Sequence, residues 1–293
     1  MHGLGNDFVV IDDLPGDGAR SPIVRDDKLR SVWAVDATLA REIGHRQFGV
    51  GFDQLLWLRP SAISSVDARM EIFNPDGSVA EMCGNGVRAA ARYLLEFGPA
   101  TGRDRYSIET LGGLKQIDVT RVGTEPPIFT VDMGTPVFGR GFQGHGAGTE
   151  VALTGLPPFH VYEVDMGNPH GVVFVEDLTR VPAEAWGPAL ETAHIFPRGA
   201  NIEFAQVMGD GSLRVRVWER GAGLTLACGS GASAVAAAAV QLGKVRAMAA
   251  KNGLPWIQVH LPGGALQLSW VPGGSVYMRG PASFAFQGMW SPR

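Results

Sequence analysis

The sequence Asn74-Pro-Asp-Gly-Ser-Val-Ala-Glu-Met-Cys-Gly-Asn-Gly-Val-Arg-Ala-Ala-Ala-Arg-Tyr93 occurs a second time in altered form, as Glu219-Arg-Gly-Ala-Gly-Leu-Thr-Leu-Ala-Cys-Gly-Ser-Gly-Ala-Ser-Ala-Val-Ala236. Placing Cys83 on Cys228, an offset of 145 (228 − 83), aligns the two stretches without a gap. These are the only two cysteines in the chain, and each opens a Cys-Gly-x-Gly turn that leads into small, helix-forming residues. The repeat predicts two similar domains, each carrying one thiol at the start of one helix.

A second pair of motifs extends the repeat. Met166-Gly-Asn-Pro-His170 precedes an apolar run at 172–175, just as Leu4-Gly-Asn-Asp-Phe8 precedes one at 9–11. The offset here is 162 (168 − 6), so an insertion of 17 residues (162 − 145) separates the two copies. The pattern predicts an α/β (α+β) protein of two pseudo-symmetric domains, each a mixed, mostly antiparallel sheet wrapped around a central Ala-rich helix.

Local signals place the predicted elements. Helices are expected at 37–43, 86–97 and 231–242, because each ends at a glycine and begins near a capping residue or a turn. Strands are expected at 8–11, 52–58, 69–73, 106–110, 113–120, 128–133, 213–218, 257–261, 265–270 and 275–279, with a loop at 14–30. Glu125-Pro-Pro127 marks the junction between the copies. The predicted domains are residues 1–127, to which 275–293 return, and residues 128–274.

Composition restricts the function classes. The chain has 293 residues, is 45% hydrophobic and carries a net charge of −4, so it has no global field for nucleic acid or an anionic membrane. The longest small-apolar run, Ala232 to Leu242, is much shorter than the ~20 residues that span a bilayer. The N-terminus does not have the pattern of a signal peptide, so a cytoplasmic protein with reduced thiols is expected. No acidic residue follows Glu219, which indicates a mildly basic surface more than a site for an acidic substrate.

The paired thiols indicate acid–base chemistry. A helix N-terminus carries partial positive charge and unpaired amides, which favour a thiolate over a thiol and can bind a carboxylate. With two such thiols in related domains, one thiolate can remove a proton from a carbon while the other thiol returns a proton to the opposite face. This sequence of steps inverts a stereocentre.

Six motifs, in order along nearly the whole chain, resemble the diaminopimelate epimerase family. They are His2-Gly-Leu-Gly-Asn-Asp-Phe8, Gly51-Phe-Asp-Gln54, Phe73-Asn-Pro-Asp-Gly-Ser78, Met82-Cys-Gly-Asn-Gly86, Gly167-Asn-Pro-His170, and Glu219-Arg-Gly-Ala-Gly223 with Ala227-Cys-Gly-Ser-Gly231. The resemblance implies an isomerase that interconverts LL- and meso-2,6-diaminopimelate in lysine and peptidoglycan precursor biosynthesis. It also implies a two-domain fold that closes on its substrate, a homodimer, and catalysis without pyridoxal phosphate or metal.

The same resemblance assigns roles to residues. Cys83 and Cys228 would be the two acid–base thiols. The amides that would hold the substrate carboxylate belong to Gly84, Asn85, Gly229 and Ser230. The distal amino-acid end would be bound by Asn6, Gln54, Asn74, Asn168, Asn201, Glu219 and Arg220. His170 and Glu219 would tune the thiols. Leu224 and Ser230 depart from the residues more frequent in the family, without removing a group that the chemistry needs.

The single motifs also have less specific interpretations. A lone cysteine is usually a buried, inert thiol, and a lone loop asparagine usually serves a turn, but the repeated context disfavours the first of these. Three Gly-x-Gly-x-x-(Gly/Ala) strings, at 84–89, 139–144 and 229–234, lack the strand directly before or the helix directly after that a dinucleotide site needs. His45, His160 and His194 have no metal-ligand spacing.

Three functions remained as alternatives to the epimerase. A proline- or hydroxyproline-type racemase would use the same two thiols, but its cyclic substrate would leave Arg220, Glu219 and several asparagines surplus. A non-catalytic amino-acid-binding protein would not need both thiols. A dithiol redox protein would need its cysteines close in sequence.

Overall fold

The structure, a computed structural model, describes residues 1–15, 35–99, 101–142, 147–245 and 255–290. The predicted loop at 14–30 and the glycine string at 139–144 lie partly outside these residues. The chain divides into two compact units, Met1–Val131 with Pro281–Arg293, and Asp132–Gly280. The sequence had placed the boundaries at 127/128 and 274/275, so the strand ending at Gly280 belongs to the second unit.

The described residues of the first unit form two helices and the first strands of the chain. The strands are β1 (His2–Gly3), β2 (Asn6–Asp12), β3 (Gln54–Arg59), β4 (Ala68–Phe73), β5 (Val79–Ala80), β6 (Arg105–Thr110), β7 (Gly113–Thr120) and β8 (Ile128–Gly134), the last of which crosses the boundary at 131/132. The helices are α1 (Ala37–Gly44), capped by the Asp36 carboxylate, and α2 (Gly84–Phe97), capped by Cys83.

The second unit contains the remaining elements. Its strands are β9 (Val137–Phe138), β10 (Thr149–Val151), β11 (Phe159–Asp165), β12 (Pro169–Phe174), β13 (Asn201–Val207), β14 (Leu213–Glu219), β15 (Gly223–Thr225), β16 (Ile257–Leu261), β17 (Gly264–Ser269) and β18 (Val276–Gly280). Its α-helices are α3 (Ala183–Glu191) and α4 (Gly229–Gln241), and 3-10 turns occupy Arg140–Phe142 and Leu178–Arg180.

Strand pairing repeats between the units. In the first unit β2 pairs parallel with β3, β3 antiparallel with β4, β4 parallel with β6, and β6 antiparallel with β7. In the second, β12 pairs parallel with β13, β13 antiparallel with β14, β14 parallel with β16, and β16 antiparallel with β17. The internal duplication read from the cysteine motifs is therefore also a duplication of sheet topology.

Each sheet packs against an alanine-rich helix. Within α4 the small residues from Ala232 to Ala239 are all fully buried, and in α2 the alanines Ala89, Ala90 and Ala91 are fully buried. Alanine pairs high helix propensity with a small side chain, so the helix axis can approach the surrounding strands closely. Since these helices begin at Cys83 and Cys228, the packing that builds each core also fixes the position of each thiol.

Helix α3 was not predicted from the sequence. It contains Gly187 and Pro188, which both lower helix propensity, and no side chain caps its first turn. Tertiary packing accounts for this helix. The packing against Trp218 is so close that a Cβ at Gly187 would lie 2.5 Å from Cγ of that residue. Glycine at this position lets the helix lie directly on the indole ring.

Enlarging a buried alanine tests this close packing. We expect Ala237→Leu to lower the free energy of unfolding by about 1–3 kcal/mol, because Ala237 is fully buried and the added atoms would overpack the core. Gln241→Leu places the same side chain at the exposed end of the same helix and should change stability by less than about 0.5 kcal/mol. Urea denaturation followed by circular dichroism measures both. Equal midpoints for the two variants would show that α4 is not tightly enclosed.

Candidate active site

The two thiols cap their helices in the same way. Cys83 and Cys228 both have extended backbones, with φ/ψ of −142°/111° and −119°/116°. The Cys83 sulfur accepts a hydrogen bond from the Gly86 amide at 3.3 Å, and the Cys228 sulfur accepts one from the Gly231 amide at 3.4 Å. Sulfur thus takes the place of the oxygen that usually caps a helix. Each amide donor and each positive helix end favours the thiolate over the thiol.

Close contacts explain the glycine at the third helical position. A Cβ at Gly86 would lie 3.0 Å from Cδ2 of Leu56, and a Cβ at Gly231 would lie 2.7 Å from Oε1 of Glu203. Glycine therefore seats each helix end directly against the strand beneath it. The strand residue in contact is apolar in the first unit and acidic in the second.

A network of hydrogen-bonded polar side chains lies beside Cys83. Nη2 of Arg88 donates to Oδ1 of Asn85 at 2.8 Å, and Nδ2 of Asn85 donates to Oδ1 of Asn6 at 3.3 Å. Nδ2 of Asn6 donates to a carboxylate oxygen of Asp53 at 3.1 Å. Because an arginine only donates and a carboxylate only accepts, Arg88 and Asp53 at the two ends of this network fix the orientation of both amides. The Asn6 oxygen therefore faces Cys83, at 3.8 Å from Sγ.

Asn6 is held from two further directions. It follows the tight turn at Leu4 and Gly5, whose φ values of 58° and 82° are typical of a type I′ hairpin turn. Leu4 is the one non-glycine residue with positive φ in the described ranges, a conformation that costs a leucine conformational energy. Its partner Asp53 is bound by Arg46 at 2.7 Å, and Arg46 also binds Asp7 at 3.0 Å.

Arg88 is a charged side chain in the core of the first unit. It is fully buried, and β1 covers it so closely that a Cβ at Gly3 would lie 3.4 Å from Nη2. Burial lowers the pKa of Arg88 to about 10, which still leaves the guanidinium protonated at neutral pH. Negative charge on Cys83 opposes that fall in pKa, so the cation and the thiolate stabilise each other.

Gln54 and Asn74 form a separate pair in the first unit. Nε2 of Gln54 donates to Oδ1 of Asn74 at 3.2 Å, and Nδ2 of Asn74 donates to the Ser78 hydroxyl at 2.9 Å. The remaining oxygen of Gln54 is buried and has no hydrogen-bond partner among the described residues. A buried acceptor without a donor is costly, so this oxygen is suited to receive a donor from a ligand.

Acidic side chains surround Cys228. The thiol is buried, its sulfur lies 3.5 Å from the Ser230 hydroxyl, and Glu219 approaches from β14. Burial, followed by the charges of Glu219 and Glu203, raises the pKa of Cys228 well above 9.0, against the bonds from Ser230 and Gly231. Burial also raises the pKa of Glu219, although bonds from Thr225, at 2.5 Å, and from Cys228 oppose the rise.

His170 joins Asn168 to the acid beneath Cys228. Nδ1 of His170 lies 2.7 Å from Oε1 of Glu203, and Nε2 lies 3.0 Å from Oδ1 of Asn168. His170 and Glu203 are both fully buried, and the second carboxylate oxygen of Glu203 has no hydrogen-bond partner among the described residues. An imidazolium would donate to both neighbouring oxygens, whereas a neutral ring would need the Asn168 amide turned round.

Asn201 and Arg220 lie beside this group. The Asn201 oxygen accepts from the Arg220 amide at 2.9 Å, and its nitrogen donates to the Pro169 carbonyl at 3.4 Å. Arg220 is exposed, and its guanidinium donates to the Arg198 carbonyl at 3.2 Å. The main chain at Arg220 is thus fixed while its charged end stands at the surface.

Three residues of these sites are not evident from the sequence motifs. Arg88, Glu203 and Asp53 were not among the candidates, although each contacts a residue that was. A charge within an alanine-rich helix, and an acid within the apolar run Ile202-Glu-Phe204, were signals that burial would demand a partner. In the described ranges, no group of three or more histidine, cysteine or acidic side chains could hold a metal ion, and no helix is long and apolar enough to cross a membrane.

Comparisons with known proteins place this chain in a family. The family model described as diaminopimelate epimerase matches residues 1–139 and 162–285. A diaminopimelate epimerase of Carboxydothermus hydrogenoformans is 40% identical over 295 residues, covering 98% of this chain and 97% of that protein. One of Desulfitobacterium hafniense is 41% identical, with coverages of 99% and 96%. The predicted family is confirmed.

Solved structures extend the comparison to the fold. A probable proline racemase from Agrobacterium radiobacter K84, solved with bound carbonate, has a TM-score of 0.68 and 15% sequence identity, and the match covers 98% of this chain and 92% of that one. At this identity the likeness shows a shared fold alone. The predicted fold class is confirmed.

The charge of Glu219 can be tested on Cys228 directly. In a Cys83→Ser protein, Glu219→Gln should lower the pKa of Cys228, because it removes a negative charge that disfavours the thiolate. Glu176→Gln, an exposed substitution in the same unit, should leave that pKa unchanged. Thiolate absorbance against pH measures it. If the pKa of Cys228 is the same with glutamate and with glutamine at position 219, the charge of Glu219 does not influence this thiol.

Proposed function

Because this chain belongs to the diaminopimelate epimerase family, we propose that it interconverts LL- and meso-2,6-diaminopimelate by transferring protons between its two thiols and the substrate α-carbon. The observation that carries the proposal is the matched capping of α2 and α4 by Cys83 and Cys228. Two side chains of the same type, primed in the same way in two related units, suit a reaction that treats the two faces of one carbon alike. Such an isomerase belongs to lysine biosynthesis.

The proposed reaction has two proton transfers. One cysteine, as the thiolate, removes the α-proton, and the C–H electron pair passes into a carbanion conjugated with the carboxylate. The other cysteine, as the thiol, donates its proton to the opposite face. The amides of Gly84, Asn85, Gly229 and Ser230 would bind that carboxylate, since the first amides of a helix have no partner within it. Fixed donors of this kind stabilise the negative charge that develops in the transition state.

The residues around the thiols have proposed tuning roles. Glu219 disfavours the Cys228 thiolate by its charge, and His170 acts through the Glu203 carboxylate that it contacts. The charges of Glu219 and Glu203 therefore favour a Cys228 that carries its proton and can donate it. This arrangement supports the role of general acid for Cys228 in one direction of the reaction.

The distal end of the substrate carries an ammonium and a carboxylate, and we propose that Arg220 binds the carboxylate. Its guanidinium is exposed and its main chain is held by Asn201. The partnerless buried oxygen of Gln54 would accept from the ammonium. Asn6, Asn74, Asn168, Asn201 and Glu219 are the other proposed contacts. A proline-type substrate has no second charged end, so these polar groups favour diaminopimelate over the cyclic alternative.

Replacing each thiol tests the two-thiol reaction. Cys83→Ser and Cys228→Ser keep a side-chain acceptor at the helix cap, so both proteins should fold normally by circular dichroism. Each should lose on the order of 10²–10⁴-fold or more in kcat, because a hydroxyl is a far weaker acid than a thiol. Proton NMR of LL-diaminopimelate turnover measures the loss, with L-proline as the second substrate. Full turnover by either variant, or racemisation of proline in preference to diaminopimelate, would refute the proposal.

Removing the distal charge tests substrate recognition. Arg220→Ala should raise KM for diaminopimelate by at least tenfold with little change in thermal stability, because the guanidinium is exposed and its loss leaves the fold intact. Arg198→Ala removes a neighbouring exposed cation but keeps the carbonyl that accepts from Arg220, and it serves as the matched control. If both variants have the same KM, Arg220 does not bind the substrate.

A further inference from the structure

Equivalent positions beneath the two thiols carry opposite kinds of side chain. Phe8 pairs with Gln54 across β2 and β3, and His170 pairs with Asn201 across β12 and β13, so Phe8 and His170 correspond. Two residues further along β3 and β13, Leu56 and Glu203 correspond, because each one is the side chain that a Cβ at the third helical position would meet.

The two helices differ in charge at one pair of corresponding buried positions. With the offset of 145, Arg88 of α2 corresponds to Ser233 of α4. Both are fully buried, but Ser233 donates its hydroxyl to the Gly229 carbonyl at 2.8 Å and carries no charge. The layer beneath Cys83 is therefore Phe8, Leu56 and a cation, and the layer beneath Cys228 is His170, an acid and a neutral hydroxyl.

Arg88 is directed toward its own helix start. Long side chains in a helix point back toward the N-terminus, and the bond from Arg88 to Asn85 places the guanidinium in the turn that follows Cys83. Other ionisable groups on described elements near this turn include His2 on β1, Asp7 on β2, and Asp53 and Arg46 beyond Asn6. Asp7 and Asp53 share Arg46 and are about two-fifths exposed, so their charge is partly neutralised and screened.

One contact opposes a thiolate at Cys83. The Asn6 oxygen faces the sulfur, but at 3.8 Å the contact is long, and that oxygen already accepts from Asn85. A full charge in the core acts on the sulfur more strongly than an amide dipole at that distance. The Gly86 amide, which donates to the sulfur at 3.3 Å, acts in the same direction as the guanidinium.

Among the described residues, the ionisable groups that act on Cys228 include Glu219 on β14 and Glu203 on β13, and His170 on β12 contacts Glu203. If His170 is protonated, its pair with Glu203 is neutral and Glu219 still supplies negative charge. If His170 is neutral, Glu203 and Glu219 both supply negative charge. Neither state provides a buried guanidinium of the kind found beneath Cys83.

We propose that Arg88 is a positioning residue that makes Cys83 the more acidic of the two thiols, so that the resting enzyme holds Cys83 as the thiolate and Cys228 as the thiol. This inference rests on the proposed two-thiol function and deepens it. Cys83 then accepts the α-proton of the isomer that the resting enzyme binds, and Cys228 donates its own. After product leaves, Cys83 loses its proton to solvent and the Cys228 thiolate takes one up, which restores the resting state.

Single-cysteine proteins test the assignment. Cys228→Ser reports on Cys83 and Cys83→Ser reports on Cys228, and thiolate absorbance is followed against pH up to about 9.5, below the range of unperturbed tyrosines. The Cys83 thiolate should form at least one pH unit lower, which is a tenfold larger thiolate fraction at a given pH below both transitions. Cys83 titrating at or above Cys228 would overturn the proposal.

Variants at Arg88 test the cause. In the Cys228→Ser protein, Arg88→Met should move the Cys83 transition up by at least about one unit, and Arg88→Lys should restore most of the difference. Arg92→Met is the matched control, because Arg92 is one turn further along α2 and pairs with Glu96. It should leave the transition in place. A folded Arg88→Met protein with an unshifted transition would overturn the role of Arg88, and if that variant unfolds, the Arg88→Lys comparison decides it.

A variant in the second unit provides an independent test. In the Cys83→Ser protein, Glu203→Gln should lower the Cys228 transition, since it removes a charge that disfavours the thiolate. If the Cys228 transition does not change, the acidic layer beneath Cys228 does not act on this thiol as proposed.

Failure of the proposed function is distinguishable from failure of this inference, because an enzyme that does not turn over diaminopimelate could still titrate as described. Conversely, full turnover with equal thiol transitions would leave the function intact and remove this inference alone.

Discussion

The hydrogen bond from a backbone amide to a capping sulfur is the constraint on which the rest of this molecule depends. It exists because an alanine-rich helix is buried in each sheet and its first turn is pressed against the strand beneath. Glycine at Gly86 and Gly231 permits that approach. A sulfur fixed in this way accepts a hydrogen bond from the amide and stands at the positive end of the helix, and both effects favour the thiolate.

Duplication explains the shared geometry, and divergence of the buried layer explains how the two thiols can differ. Both units use the same strand order and the same cap, yet Leu56 and Glu203 occupy equivalent positions with opposite polarity. A reaction that moves a proton from one thiol to the other needs one of them ionised and the other protonated at its start. With identical surroundings, neither thiol would be favoured as the ionised one. A cation near one sulfur and acids near the other favour ionisation of the first.

Much of this could be predicted from the sequence. The helices were predicted to begin at Gly86 and Gly231, and they begin two residues earlier, because each cysteine rather than the glycine after it is the cap. Strands such as 113–120 and 257–261 were predicted with their observed bounds, since alternating burial leaves a clear pattern. Helix α3 was missed because Gly187 and Pro188 argue against a helix, and the tertiary packing of its buried residues Ala183, Gly187 and Leu190 outweighs them.

The missing parts of the sites share one physical reason. Arg88 and Glu203 act from beneath the thiols, and sequence spacing does not reveal which side of a helix or strand faces a given sulfur. Motifs identified the residues at the surface of each site, such as Asn6 and Arg220, whereas the charges under them became visible only with coordinates. Pairing the two units residue by residue showed that Arg88 has a serine as its counterpart.

The central claim is that two different sulfur atoms handle the proton on the two faces of one carbon. Early turnover of LL-diaminopimelate in deuterated water tests it most directly, with the isotope content of substrate and product read separately by NMR or mass spectrometry. Two thiols predict that the first meso product carries one solvent deuterium at the inverted carbon while the remaining LL isomer carries none. Deuterium entering the LL isomer as fast as the product, or a product that keeps its original proton, would mean that a single base serves both faces.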